Sequence, residues 1–157
     1  SNEEHWNWAV TPNEREKASF LKENIIPIQE SGQLQFIKTA ETNEDKLGMT
    51  AFTENISVRF VNGHTDKMML PQINYNGKTI VYMADLLPSQ GHIPIPYVMA
   101  YDMFPLTTLL EKKMFLKEAY ENNYTLFFEH DREYECCDLE QTEKGIRPNN
   151  FFKLEEI

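Results

Sequence analysis

Only two of the 157 residues are cysteine, and they are neighbours, Cys136-Cys137. Adjacent cysteines do not close an ordinary loop, so a disulfide framework is excluded. A buried strand position is the plain reading for such a residue, and redox chemistry is the other. Positive charge is equally scarce. Fifteen Lys and Arg stand against 25 Asp and Glu, a formal charge of −10, and no basic cluster interrupts that excess. A nucleic-acid groove and an anionic-membrane surface are therefore not expected. No apolar run approaches the roughly 18 residues that span a bilayer. A small-molecule substrate and a cytoplasmic location remain as expectations, although a leader preceding Ser1 would leave these residues reading the same.

What is present is ordinary globular composition, 41% hydrophobic and 25% charged, on a chain long enough to bury one core. Thr11-Pro-Asn-Glu14 has the form of a helix start, with Thr11 as cap, Pro12 in the first turn and Glu14 closing a capping box. The pattern predicts a helix over Pro12–Asn24, ended by Pro27, then a turn at Ser31-Gly32, a strand Gln33–Ile37 and a polar loop Thr39–Thr50. Alternation predicts strands Ser57–Val61, Met69–Tyr75 and Lys78–Met83, the last two joined by the hairpin pair Asn76-Gly77. Leu86–Pro105 holds four prolines and several aromatic residues, which predicts an ordered loop. Thr108-x-x-Glu111 opens a second helix ending at Asn122, with Leu109, Leu110, Leu116 and Tyr120 as its apolar stripe and Lys113 snorkelling from it. Strands Thr125–Phe128, Tyr134–Leu139 and Asn150–Leu154 follow. The sum is an α/β chain with a mixed sheet and helices on one face.

Three ligand-type residues occupy equivalent places, each just past a short strand: His64 after Ser57–Val61, Asp85 after Thr79–Met83, and His130 after Leu126–Phe128. If the strands share a sheet, their side chains can meet on one rim. Two imidazoles and a carboxylate are a normal ligand set for zinc or iron. Each alone also reads as a turn or capping residue. His92 could reach such a site or stand in solvent, and Tyr97, Tyr101 and Phe104 could line a pocket or merely pack.

Gly63-His64-Thr65, Gly77-Lys78-Thr79 leading into Ala84-Asp85-Leu86-Leu87-Pro88, and Phe128-Glu129-His130-Asp131, with Tyr101-Asp102 and Pro105 between them, resemble the metallo-β-lactamase-fold hydrolases. The resemblance runs from Trp6 to the last residue. It implies the C-terminal part of an αββα sandwich over residues 1–157, and a two-metal hydrolase site. His64 would serve one metal, His130 the other, and Asp85 would bridge both. Zinc is the implied metal, with iron or manganese as alternatives. His92, Tyr97 and Tyr101 are the substrate-binding candidates, and Glu129 or Asp131 could orient an imidazole. Two departures stand out. Where the family continues Gly-His-Thr with Pro-Gly, this chain has Asp66-Lys67, and the family's leading His-x-His-x-Asp-His motif is absent.

The resemblance therefore implies a fragment of a hydrolase for small esters or lactones, with an incomplete metal site and little activity by itself. No residue of this chain is assigned a catalytic role beyond metal ligation. A homo-oligomer formed through an uncovered sheet face is expected. The competing reading is a non-catalytic fragment or interaction module without metal.

Overall fold

The computed structural model describes residues 1–157. Its centre is one seven-stranded sheet whose strands lie in sequence order, β1 (Met49–Ala51), β2 (Ile56–Val61), β3 (Met68–Tyr75), β4 (Lys78–Tyr82), β5 (Thr125–Phe127), β6 (Cys136–Thr142) and β7 (Gly145–Phe152). Every neighbouring pair is antiparallel except β4–β5, which run parallel because helix α3 (Pro105–Glu121) carries the chain back between them. Asn76 and Gly77 take positive φ (48° and 76°) at the β3–β4 turn, as a two-residue hairpin requires. No helix is long and apolar enough to cross a membrane.

Strand pairing sorts the sheet into two faces. Val81 lies beside Gln72 and Leu126, and Leu126 beside Cys137. Val61, Leu70, Val81, Leu126 and Cys137 form the core with Phe115, Leu116 and Ala119 of α3. Both cysteines are buried, unpaired strand residues, and burial pushes their thiols up to about 11 and about 12. The other face carries Val58, Phe60 and Met69, and at its β1 edge an apolar groove of about 680 Å³ runs between these strands and residues 33–38.

A charged cluster lies among the apolar residues of the α3 face. Arg59 of β2 is fully buried. Its Nε donates to Gln72 (2.8 Å), and its two terminal nitrogens donate to both oxygens of Glu118 on α3 (2.6 and 3.0 Å). The rings of Phe115 and Tyr124 lie against the guanidinium. Such a fork fixes how far α3 can slide along the sheet, which apolar contact alone does not.

The N-terminal third departs from expectation. The helix predicted over Pro12–Asn24 does not form. Thr11 closes helix α1 (Glu3–Val10) instead of opening a helix, its hydroxyl donating to Asn7 O (2.6 Å). Asn13 Oδ1 accepts from the backbone N–H groups of Arg15 and Glu16 in the manner of a cap, but only a turn over residues 14–19 follows, and Glu16 accepts from Trp8 Nε1 and Asn13 Nδ2. Helix α1 lies before this turn, capped by Asn2, whose side chain accepts from His5 N. Helix α2 (Lys22–Glu30) lies after it, with Pro27 inside rather than beyond. Nine residues tolerate the single bond Pro27 forfeits. Gln33–Ile37 is not a strand, whereas Met49–Ala51, at the end of the predicted loop, pairs with β2. On α3 the buried residues are Thr108, Glu111, Lys112, Phe115, Leu116 and Ala119. Leu110 and Tyr120 are exposed, and Lys113 is exposed where Lys112 is buried.

Burial works against the charge of Glu118, but the Arg59 bonds and charge outweigh it and hold the carboxyl below the ordinary 4.5. The stability it contributes is present above that value and lost as the pH falls through the lower folded pKa. Glu118→Ala leaves Arg59 buried without its partner, and is expected to cost about 3–5 kcal/mol in urea denaturation at neutral pH. A loss within a few tenths of a kilocalorie would show that the pair does not hold α3.

Candidate metal and hydrolase site

His64, Asp85 and His130 meet at one rim of the sheet. Asp85 stands between the two imidazoles: its Oδ2 is 3.4 Å from His64 Nε2 and its Oδ1 is 3.5 Å from His130 Nε2. Two atoms bound to one tetrahedral zinc, each at about 2.1 Å, lie about 3.4 Å apart. The pairwise spacing therefore fits a shared ion on each side of the carboxylate. No three His, Cys, Asp or Glu side chains close on a common point.

The His64 loop is held from both sides. Glu111 of α3 is buried, and its carboxylate accepts from the backbone N–H of Asn62 (2.6 Å) and of Gly63 (2.9 Å). The sequence pattern places Glu111 in a capping box, but α3 begins three residues before Thr108, with Pro105 in its first turn, and Glu111 is free to bind the loop instead. Gly63 packs so tightly on α3 that a Cβ there would collide with the Thr108 backbone. Opposite, Phe104 N donates to Gly63 O (2.8 Å) and Met103 N to His64 O (3.1 Å). Lys67 takes φ 49°, in the left-handed region that favours glycine.

Asp102 is the residue that the sequence pattern flagged without a role. Its side chain is 1% exposed, and its Oδ1 is 3.0 Å from His64 Nδ1. A carboxylate can only accept, so Nδ1 carries the hydrogen and Nε2 is the atom turned to Asp85. Burial pushes the His64 pKa down, but the Asp102 bond and the charges of Asp85, Asp102 and Glu16 outweigh it and raise it above 6.5. Glu129 and Asp131 do not fill this orienting role. Glu129 lies 3.8 Å from His130, and Asp131 accepts from the backbone of Gln90, Glu133 and Tyr134, which steadies the loop after β5.

Asp85 is delivered by an unusual backbone. Ala84, buried beside it, has φ 40°, a conformation costing a non-glycine residue roughly 1–2 kcal/mol. The three ligand-type residues line a cavity of about 380 Å³ with Thr65, Met99 and Tyr101, and with Arg15, Glu16, Ser19 and Phe20 from the turn between α1 and α2. That wall was not legible in the sequence, where the same residues read as helix. Of the substrate-binding candidates, Tyr101 lines the cavity while His92 and Tyr97 do not. His92 instead pairs with Ser89 Oγ (2.9 Å), and Tyr97 is largely exposed. His5 bonds the backbone oxygen of Asp66.

No protein-family model and no curated protein sequence matches the chain. Solved structures do. A probable metal-dependent hydrolase from Staphylococcus aureus superposes with a TM-score of 0.79 at 21% identity, over 98% of this chain and 51% of its own. AidC, a dizinc quorum-quenching lactonase, gives 0.66 at 16% over 97% and 54%. The hydrolase AbOPH of the β-lactamase superfamily gives 0.66 at 17% over 92% and 50%. The fold is that of the C-terminal part of the metallo-β-lactamase hydrolases. The chain spans about half the length of the solved metallo-β-lactamase-fold structures it matches.

Glu111→Ala removes the acceptor for two backbone donors at the His64 loop, and is expected to cost about 1–3 kcal/mol of unfolding free energy for each N–H that stays buried. Glu111→Gln, which keeps one carbonyl oxygen, should lose less. Equal stability of all three proteins in chemical denaturation would contradict the clamp.

Proposed function

We propose that residues 1–157 are the C-terminal portion of a metal-dependent hydrolase acting on small esters or lactones, and that they supply His64, Asp85 and His130 to a two-zinc site. The observation that carries this reading is the placement of the Asp85 carboxylate between two imidazole Nε2 atoms. In the tautomer set by Asp102, the Nε2 lone pair of His64 faces an anion at 3.4 Å. A proton or a cation between them is what makes that arrangement favourable. Iron or manganese would suit the same oxygen and nitrogen donors.

When bound, a metal pair of this kind makes water a nucleophile near neutral pH and polarises the scissile oxygen. This chain's residues would do the rest. Asp102 keeps the His64 ring turned, and Asp85 holds both sides of the site at one separation. Phe20, Met99 and Tyr101 offer the cavity an apolar wall that suits the carbon skeleton of a small ester or lactone. That AidC is a lactonase supports this substrate class. The remaining ligands would come from polypeptide outside these residues.

Zinc titration followed calorimetrically is the first test. Uptake should fall in His64→Ala and in His130→Ala, and vanish in Asp85→Ala. It should also weaken as the pH falls through the raised pKa of His64, because proton and metal compete for Nε2. No zinc uptake by the wild-type chain would favour the metal-free interaction module, and uptake unchanged in Asp85→Ala would reject this site.

Catalytic zinc normally keeps about three protein ligands, so the chain alone is expected to hydrolyse lactones slowly or not at all. Rapid turnover, lost on chelation and in His130→Ala, would overturn the partial site. We also propose that a second copy covers the sheet face bearing the apolar groove, where Phe36 and Phe52 are exposed. Light scattering should give a dimer or larger, and a concentration-independent monomer mass would reject this.

A further inference from the structure

Lys112 is a buried lysine on α3, its side chain shut off from solvent. A buried ammonium has three N–H donors, and each needs an acceptor. All three find one on a single short stretch of the Leu86–Pro105 loop: the carbonyls of Pro94 (3.1 Å), Ile95 (3.2 Å) and Tyr97 (2.6 Å). The stretch needs the donors in turn. Within the stretch the Tyr97 N–H reaches the Pro94 carbonyl (3.0 Å), but Pro94 and Pro96 have no N–H to offer the carbonyls of Ile95 and Tyr97.

The same charge serves a second residue. Asp102 is buried, and its Oδ2 has no hydrogen-bond donor. The nearby ammonium of Lys112 offsets that carboxylate through space. Between the three-carbonyl cage and Asp102 run Met99 and Tyr101, which line the cavity, and Ala100, whose carbonyl accepts from Arg15.

We propose that Lys112 is a positioning residue of the site: by gripping the carbonyls of Pro94, Ile95 and Tyr97, it fixes the loop that sets Met99 and Tyr101 in the cavity wall and Asp102 behind His64. The hydrolase reading supplies the meaning of the cavity, while the grip itself stands apart from it.

Rescue gives a readout that packing alone would not move. Methionine fills much of the same space but offers no donor, whereas arginine restores a positive charge and N–H donors.

Hydrogen exchange on the whole 157-residue chain reads opening of the loop at the amides between Ile95 and Tyr101. In Lys112→Met these amides should exchange about tenfold or more faster than in the wild type at neutral pH, while the β2–β3 amides stay unchanged, and Lys112→Arg should restore most of the lost protection. A Lys112→Met loop as protected as the wild type, or a Lys112→Arg loop as open as Lys112→Met, overturns the proposal. Should Lys112→Met fail to fold, Lys112→Gln takes its place, and a Lys112→Gln loop as protected as the wild type overturns the proposal. Zinc takes no part in this measurement, so the hydrolase reading and the loop grip can fail separately.

Discussion

Three charged side chains on the buried side of α3 hold three separate parts of the molecule. Glu118 takes Arg59 of β2, Glu111 takes the Asn62-Gly63 backbone, and Lys112 takes the carbonyls of residues 94–97. Each bond is directional and made out of water, so each sets a position as well as a distance. An apolar stripe would have held α3 on the sheet but allowed it to slide. Both segments that bring His64 and Asp102 together are tied to this one helix. The site rim inherits its geometry from α3.

Asp85 comes to that rim by a different route. It leaves the end of β4 through Ala84 in a left-handed turn, and Met83 N is tied to Phe127 O across the parallel pair. His130 is reached from β5 and anchored by its own N–H to Pro88 O. The parallel β4–β5 pairing is thus what sets Asp85 and His130 side by side, and α3 is the crossover that makes the pairing parallel. Strain at Ala84 persists because strands on either side and the buried loop leave the chain no other course.

The sheet and the three ligand-type residues were legible because their signals are local. Alternation in Ser57–Val61, Met69–Tyr75 and Lys78–Met83, and Asn76-Gly77 between the last two, fix strands and a turn within a few residues. The N-terminal third was not. Thr11-Pro-Asn-Glu14 has every mark of a helix start, but Thr11 closes α1 with its hydroxyl on Asn7 O, and Asn13 caps only a turn over residues 14–19. The end of one helix there looks in sequence like the beginning of another. The stripe on α3 failed for another reason. The sequence pattern reads Glu111 as a capping-box residue and gives Lys112 no part, and only their distant partners, Gly63 and the 94–97 carbonyls, justify burying them. Asp102 stood in a recognisable stretch, but its role depends on contact with a residue 38 positions away.

The central proposal is that Asp85 would hold two metals, one together with His64 and the other together with His130. Anomalous diffraction at the zinc edge, from crystals grown with zinc, addresses it directly. The account requires density within bonding distance of Asp85 Oδ2 and His64 Nε2, and separate density within bonding distance of Asp85 Oδ1 and His130 Nε2. Zinc found only at other carboxylates of this acidic chain, with Asp85 touching none, would contradict it.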